Sequence, residues 1–366
     1  MAGCETIHMY PVVMAGGLGK RFWPLSRRKS PKHIIPVFAA LPGRSKFLLL
    51  QCVERVQPLS GWNTLYVVTT EEQWGDVVSL LPDIPQENLI CEPEGKNTAP
   101  SIGIASLRIR RRDPEGVMIV LPADHYIKDD AAFRATLKKA VDIAVGDDTL
   151  VLLGVAPTRP ETGYGYIEVG ERYDGFVNKV RGFHEKPPAE QAQEFLASGN
   201  FLWNAGIFVW KASAILKAFE RTMPVFYEGL QRIDKAIGGP YERKTTKEVY
   251  ASLEPVSIDK GVLEKIGDEL KVIKVEFDWT DVGSLDSLSE VFEKDADGNV
   301  VKARYVGIKS TGNIIIGGKR LIATVGVHGT IIVETDDSVL VCSRSHAQDI
   351  KMLVEEIERA GMKEYL

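Results

Sequence analysis

The sequence predicts an α/β fold: a mixed, mostly parallel sheet with helices on both faces, followed by a small C-terminal β-rich domain and a terminal helix. From residue 10 to about 280, short β-branched runs alternate with helix-length segments, the order that builds parallel sheets. The strand candidates in that stretch are almost continuously apolar, as strands covered on both faces are. After Leu285 the texture changes to short strands at close intervals, the pattern of a separate β-rich appendage.

In chain order, the clearest strands of the first part are Tyr10 to Met14, Thr64 to Thr70, Val117 to Leu121, Thr149 to Val155 and Gly206 to Trp210. Residues 97–112 predict a helix, because Asn97 or Thr98 can cap the free N–H groups and Pro100 falls in the first turn. Its start offers those N–H groups to an anion or a polar ring. Asp295 to Asn299 reads as a turn or linker. Beyond it come Asn313 to Ile316, Leu321 to Val325, Thr330 to Glu334 and Ser338 to Cys342 as strands. The chain closes with a helix from about His346 to Ala360, whose Ile350, Leu353, Val354 and Ile357 share a face. Packing onto its own domain is the main reading of that face, and a homodimer contact is the alternative. The expected division is residues 1–292 and residues 293–366.

A chain of 366 residues, 44% hydrophobic and 26% charged, can bury a sizeable core. Its formal charge of −5 lacks the basic footprint of a nucleic-acid binder. The dense basic run Arg108, Arg110, Arg111 and Arg112 reads as a solvated helix end, where cations complement the helix dipole. Cys4, Cys52, Cys91 and Cys342 have neither metal-site nor redox-motif spacing, so they read as reduced thiols. The first strand begins close to the N-terminus, without an export signal, and no apolar stretch approaches the ~20 residues of a membrane helix. A soluble, cytoplasmic protein with no nucleic-acid or membrane partner is expected.

The first candidate site is Met14-Ala15-Gly16-Gly17-Leu18-Gly19-Lys20-Arg21, directly after the first strand. Glycines there let the backbone approach a phosphate chain and expose N–H groups as an anion nest. It is not a P-loop, since Arg21 follows Lys20, nor a dinucleotide fingerprint, since Phe22 stands where a glycine is needed. A purely structural tight turn is the plain alternative. Arg21, Arg27, Arg28, Lys29 and Lys32 follow within a dozen positions, punctuated by Pro24 and Pro31, and could hold a triphosphate and its leaving pyrophosphate.

The second candidate is Asp124, in Leu121-Pro122-Ala123-Asp124-His125. It ends an apolar strand, where ligands gather in parallel sheets, and a hard cation such as Mg²⁺ takes one or two carboxylates plus phosphate oxygens. A lone Asp there is more often a turn residue, so a partner is needed. Phe277-Asp278-Trp279-Thr280-Asp281-Val282-Gly283-Ser284 supplies a plausible one. The third candidate is Glu185-Lys186-Pro187. Lys186 can put a point charge on a phosphate and Glu185 can accept from sugar hydroxyls, although for this motif alone a surface Glu-Lys pair before a helix is the better reading.

Taken in order, these segments resemble the sugar-nucleotide pyrophosphorylase superfamily, and within it the mannose-1-phosphate guanylyltransferase family. The signature is Gly16-Gly17-Leu18-Gly19-Lys20-Arg21-Phe22-Trp23-Pro24-Leu25-Ser26-Arg27, followed by Pro31-Lys32. Glu92-Pro93 with Gly95-Lys96-Asn97-Thr98-Ala99-Pro100, Pro122-Ala123-Asp124-His125 and Thr162-Gly163-Tyr164-Gly165-Tyr166-Ile167 come next. Glu185-Lys186-Pro187, Asn204-Ala205-Gly206-Ile207-Phe208 and Asp281-Val282-Gly283-Ser284 complete the set. One such motif is weak, but the ordered set is specific and spans nearly the whole chain. Lys20, His33, Lys260 and Leu285 depart from the common pattern, leaving the reaction class intact and bearing on the sugar.

The resemblance implies a Rossmann-like nucleotidyltransferase (GT-A-like) domain with a short left-handed β-helix behind it. It implies transfer of GMP from GTP to mannose 1-phosphate with Mg²⁺, giving GDP-mannose and pyrophosphate. Gly16, Gly17, Gly19, Arg21 and Lys32 would hold the GTP phosphates, and Asn97, Thr98, Ala99 and Pro122 would adjoin the nucleotide. Asp124 and Asp281 would bind Mg²⁺, Lys186 would meet the sugar phosphate, and Gly165, Glu185, Asn204 and Asp259 would line the sugar. Catalysis would rest on Arg21, Lys32, Asp124, Lys186 and Asp281. Many bacterial relatives carry a further cupin-type isomerase domain; the chain ends before one, and a single transferase activity is expected. The alternatives are another base or sugar, or a non-catalytic regulatory subunit that binds GDP-mannose. The complete set of phosphate-site charges weighs against the latter.

Overall fold

The computed structural model describes residues 8–28, 30–36, 45, 47–147 and 149–366, the side chains of 147 and 268 excepted; Cys4 and Lys29 therefore lie outside the described residues. In chain order the strands are β1 (Met9–Met14), β2 (Tyr66–Thr70), β3 (Leu89–Glu92), β4 (Val117–Pro122), β5 (Tyr126–Ile127), β6 (Leu150–Val155), β7 (Gly165–Asp174) and β8 (Val177–Glu185). They continue with β9 (Phe201–Lys211), β10 (Leu270–Lys274), β11 (Trp279–Thr280), β12 (Val300–Ile308), β13 (Ile314–Val325), β14 (Thr330–Glu334) and β15 (Val339–Ser343).

The chain forms two compact units, the first from residues 1–16, 52–122 and 127–279, the second from residues 17–51, 123–126 and 280–366. A single cut at residue 292 does not coincide with this partition. The reason lies in the second core, where Phe22, Trp23, Ile35 and Leu48 pack with Leu285, Ile314, Ile331 and Ile350. Apolar residues of the N-terminal loop thus belong with the C-terminal strands.

The first unit holds a nine-stranded sheet in the order β3-β2-β1-β4-β9-β6-β10-β8-β7, with β9 also pairing β7. Propagating the pairings, β1, β2, β3, β4, β6, β7 and β10 run one way, while β8 and β9 run against them. Val12, Val67, Val120 and Leu152 are completely buried, which accounts for the near-continuous apolar runs. Side chains of this kind contribute roughly 1.5–3 kcal/mol each when fully buried. The strands β3, β7, β8 and β10 were not singled out by their composition: β7 and β8 alternate with charged residues, and β3 and β10 are short.

The predicted helix spans Thr98–Arg112, with Asn97 as its N-cap: the Asn97 side chain accepts from the Thr98 N–H. Its basic end is not simply solvated. Arg108 pairs with Glu242 at 2.5 Å, and Arg110 and Arg111 both reach Asp234, at 3.1 and 2.7 Å. These contacts tie the helix to Pro224–Ala236 and Glu242–Ser252, elements whose carboxylates lie more than 120 positions away.

In the second unit β12, β13 and β14 are parallel and β15 pairs antiparallel with β14. The two predicted strands at 313–316 and 321–325 are one continuous strand, β13, whose pairing with β12 shifts register beyond Lys302. Asn299 and Asn313, both buried, join successive strand turns: Asn313 donates its backbone N–H (2.9 Å) and its side-chain amide (3.1 Å) to Asn299 Oδ1. Buried polar groups are satisfied in this way rather than left costly. The terminal helix runs Ile350–Arg359 after a 3₁₀ segment, and buries Ile350, Val354 and Ile357. Leu353, predicted on the same face, is 39% exposed because it lies at that face's edge. The helix packs on its own unit, the main reading of its apolar face.

Candidate active site

The signature loop belongs to the second unit and is shaped by one glycine. Gly19 has φ +64°, and a Cβ there would stand 2.3 Å from Lys32 Cβ. Only glycine relieves both the left-handed backbone and that approach. The Gly19 carbonyl accepts from Phe22 N–H at 2.8 Å and Ser26 Oγ at 2.7 Å, closing the turn. Lys32 then passes beside the glycine, nearly buried, with its ammonium 5.2 Å from the Phe22 ring.

The Lys32 ammonium donates to Asp124 Oδ2 at 2.7 Å and to the Asp281 backbone carbonyl at 3.1 Å. Sequence positions 32, 124 and 281 thereby meet in one cluster. Burial by itself raises the Asp124 carboxyl, but Lys32, with His125 and His33, holds it below its ordinary range. Asp281 Oδ1 accepts the Gly283 N–H at 2.7 Å, and a Cβ at Gly283 would crowd Asp281 Oδ2 to 2.9 Å, which accounts for the Asp-Val-Gly sequence. The Asp124 and Asp281 carboxylates supply oxygen donors, the chemistry a hard divalent cation requires. Among the described residues no cluster of three or more His, Cys, Asp or Glu side chains is assembled, so such an ion needs oxygens from its substrate or water. Arg21 Nε is buried without a hydrogen-bond partner among the described residues. Arg27 and Arg28 differ from the expectation of a phosphate-facing cluster: Arg27 bonds Asp337 at 2.7 Å, and Arg28 pairs with Glu358. Their charges are taken up by the C-terminal strands and helix.

The other group lies in the first unit. Asn97 sits at φ +72°, and its helix start is pinned by Ala99 N–H to Val256 O at 3.2 Å and by Thr98 Oγ1 accepting Ile258 N–H at 2.8 Å. Asp259 follows immediately. Asn204 Nδ2 donates to Asp259 Oδ1 at 2.9 Å, and Asn204 Oδ1 accepts Gly206 N–H at 3.0 Å. Burial, with the Glu185 charge beside it, pushes the Asp259 carboxyl up to about 6. Gly165 pairs with Glu185 across β7 and β8, and a Cβ on Gly165 would come within 2.8 Å of Glu185 Oε2. Lys186, at φ +51°, ion-pairs with Glu185. Gly165, Glu185, Lys186, Asn204 and Asp259 thus form a polar group rich in acceptors, suited to hydroxyls. Pro122 ends β4 in register with Met14 at the end of neighbouring β1, and Gly16 follows two residues beyond Met14; Gly17 is exposed.

The family model described as "Nucleotidyl transferase" matches residues 10–298, and that of a "MannoseP isomerase/GMP-like beta-helix domain" matches residues 303–357. A mannose-1-phosphate guanylyltransferase of Escherichia coli (strain K12) is 35% identical over 98% of the chain and 75% of its own length. The chain belongs to the mannose-1-phosphate guanylyltransferase family. A Klebsiella pneumoniae relative described as a mannose-1-phosphate guanylyltransferase is 34% identical over 98% of the chain and 75% of its own length. A Thermus thermophilus crystal structure described as a mannose-1-phosphate geranyltransferase has a TM-score of 0.85 and 35% identity over 96% of the chain and 100% of its own. A Helicobacter pylori structure described as mannose-6-phosphate isomerase aligns at a TM-score of 0.60 and 26% identity, over 75% of the chain and 100% of its own.

As a mannose-1-phosphate guanylyltransferase family member, the chain departs from the common pattern at His33, which is buried and held down to about 4 by burial with Lys32, against Asp124. It is neutral near pH 7, as a glutamine there would be. Leu285 is an interior residue of the second core. Three features escaped the sequence reading. Glu92, quoted there only as part of a motif, is buried, receives Tyr250 OH at 2.6 Å and Ser101 Oγ at 2.8 Å, and is pushed up to about 7 by burial despite both bonds. Tyr164 packs edge-on against Trp203 and Trp279, with ring centroids 5.2 and 5.5 Å apart. Arg159 stacks over Trp203 and pairs with Glu161 at 3.2 Å. Trp203 stands beside Asn204, a sequence signal that could have flagged it.

Proposed function

We propose that the chain transfers GMP from GTP to α-D-mannose 1-phosphate, giving GDP-mannose and pyrophosphate, with Mg²⁺ as cofactor. The observation that carries this reading is the meeting of Lys32 with Asp124 and Asp281: a cation is held between the carboxylate of one and the backbone of the other, the two acids that the reaction needs. A phosphate oxygen of the sugar phosphate attacks the α-phosphorus of GTP. The new O–P bond forms as the bond from that phosphorus to the β-phosphate bridging oxygen breaks, and pyrophosphate leaves with the electron pair. The attacking phosphate is already anionic, so positioning and charge neutralisation suffice without a general base.

The roles follow from side-chain chemistry. Lys32 exchanges Asp124 for the triphosphate, and Arg21 neutralises the departing pyrophosphate. Gly16, Gly17 and Gly19 admit the phosphate chain, and Asn97, Thr98, Ala99 and Pro122 adjoin the guanine nucleotide. Asp124 and Asp281 hold Mg²⁺, which supplies charge neutralisation at the reacting phosphates when bound. Lys186 takes the sugar's phosphate, while Gly165, Glu185, Asn204 and Asp259 receive its hydroxyls. A cytoplasmic setting suits these substrates; no helix among the described residues is long and apolar enough to cross a membrane. We also infer a functional division at residue 292 and a homodimer.

The test is pyrophosphate release from purified protein with Mg²⁺, crossing GTP, ATP, UTP and dTTP against mannose 1-phosphate and glucose 1-phosphate. Release chiefly from GTP with mannose 1-phosphate is expected. Preference for another pair would replace the substrates, whereas silence with tight GDP-mannose binding would replace the enzyme with a regulatory subunit.

A further inference from the structure

The phosphate loop is fastened to a turn more than 330 positions away. Trp23 Nε1 donates to the Tyr365 carbonyl at 2.7 Å, and the Arg27 guanidinium donates to the same oxygen. Arg27 also bonds Asp337 Oδ1 at 2.7 Å and Ser338 Oγ at 3.3 Å, so one guanidinium joins the loop to both the β14–β15 turn and the tail. Arg28 adds a pair with Glu358, on the last turn of the terminal helix.

The tail is built to reach that point. The terminal helix ends in a Schellman motif: Met362 N–H bonds Ile357 O at 3.2 Å, Gly361 N–H bonds Glu358 O at 3.0 Å, and Gly361 sits at φ +78°. This reversal sends Lys363–Tyr365 back as a 3₁₀ turn, while Ile350, Val354 and Ile357 share the core with Phe22 and Trp23. Between the tail and the chemistry lies a short rigid path. Trp23 and Arg27 bracket Ser26, Ser26 Oγ closes onto Gly19 O, and Gly19 abuts the Lys32 stem that carries the ammonium to Asp124.

Building on the proposed nucleotidyl transfer, we propose that Trp23, Arg27 and the Tyr365 carbonyl form a strap that positions the signature loop for the triphosphate. Trp23 and Arg27 are positioning residues, acting through Gly19 and Lys32 rather than on the substrate. The strap makes triphosphate affinity, and not sugar-phosphate affinity, depend on the C-terminal turn.

Four variants test this: Trp23→Phe, which keeps an aromatic ring and removes the N–H; Arg27→Ala; Arg27→Lys as the conservative rescue; and removal of residues 363–366. Hydrogen bonds to a charged group imply about a tenfold effect or more. KM for the triphosphate is expected to rise about tenfold in Arg27→Ala and in the truncation, less in Trp23→Phe, and to recover partly in Arg27→Lys. KM for the sugar phosphate stays within about twofold. Hydrogen exchange of residues 17–28 speeds up in the same order, with thermal unfolding confirming that each variant is folded. This readout needs no turnover. If the wild type binds triphosphate but transfers nothing, the proposed reaction fails while exchange and binding still judge the strap. Unchanged exchange across residues 17–28, or equal loss of affinity for both substrates, would overturn it.

Discussion

The two groups of candidate site residues solve the problem of holding charge in opposite ways. In the second unit, Asp124 is kept ionised by Lys32, and the carboxyl sits below its ordinary range. In the first unit, Asp259 is pushed up to about 6 and Glu92 to about 7, both chiefly by burial. One region is a preformed ion pair that an incoming polyanion can rearrange at little cost, because the phosphate replaces one anion with another. The other holds raised carboxyls among amide and hydroxyl partners, with the Glu185–Lys186 pair beside Asp259, a setting for uncharged sugar hydroxyls. The difference teaches that the Lys32–Asp124 charge pair sets apart the group proposed to handle the triphosphate, and carboxyls raised by burial set apart the group of the first unit.

The sharpest break of this comparison is Asp281→Asn. It removes a charge from the phosphate-handling region without changing shape, and turnover is expected to fall by about 10²–10³-fold, with much smaller changes in either KM. Steady-state kinetics with both substrates varied checks this, and unchanged turnover would remove Asp281 from the metal site.

Glu92→Gln tests the opposite region. The folded-state value of Glu92 lies above its unfolded value of 4.5, so the folded protein holds the proton more tightly and loses stability as pH rises from about 4.5 through 7. Gln cannot ionise, and Ser101 Oγ can accept from its amide. Relative to wild type, the variant is expected to gain on the order of 2–3 kcal/mol between pH 5 and pH 8. Denaturant unfolding at the two pH values measures it, and parallel curves would mean that Glu92 does not titrate differently on folding.

Gly19→Ala puts a side chain at φ +64° with its Cβ against the Lys32 stem. A loss of about 2 kcal/mol in stability is expected from the left-handed backbone and the contact, with a raised triphosphate KM. The smallest effect is that of Asn204→Ala, which strips Asp259 of its amide donor. KM for the sugar phosphate should rise about tenfold while that for the triphosphate stays within about twofold. A triphosphate effect from Asn204→Ala, or a sugar effect from Gly19→Ala, would dissolve the distinction between the regions.

What the sequence disclosed follows from the range of the interactions involved. Gly19, Asp281-Val282-Gly283 and the Asn97 cap are local devices, written in neighbouring residues, and all were legible. The buried parallel strands were legible because two covered faces demand continuous apolar runs. Asp124 and Asp281 were named as partners through motif resemblance, yet nothing local says that Lys32 joins them. Arg27 and Arg28 looked like phosphate ligands because their partners, Asp337, Tyr365 and Glu358, are more than 300 positions away. For the same reason the helix-end arginines looked solvated. Strand β13 read as two strands because Gly317-Gly318-Lys319-Arg320 resembles a turn, whereas Gly318 N–H and Arg320 both engage Glu334 and keep the chain extended.

The interleaved second unit has a consequence for how the protein is made. Phe22 and Trp23 are made first, and the residues that complete their core, Leu285, Ile314, Ile331 and Ile350, follow hundreds of positions later. At roughly 5–20 residues per second, the signature loop waits on the order of tens of seconds for its packing partners. Over that interval the aromatic pair lacks these partners, and Lys32 cannot meet Asp281 until residue 281 has been made. Translation itself therefore orders the assembly: the nine-stranded sheet, whose last strand ends at Lys274, can close before the second core, which waits for Ile350.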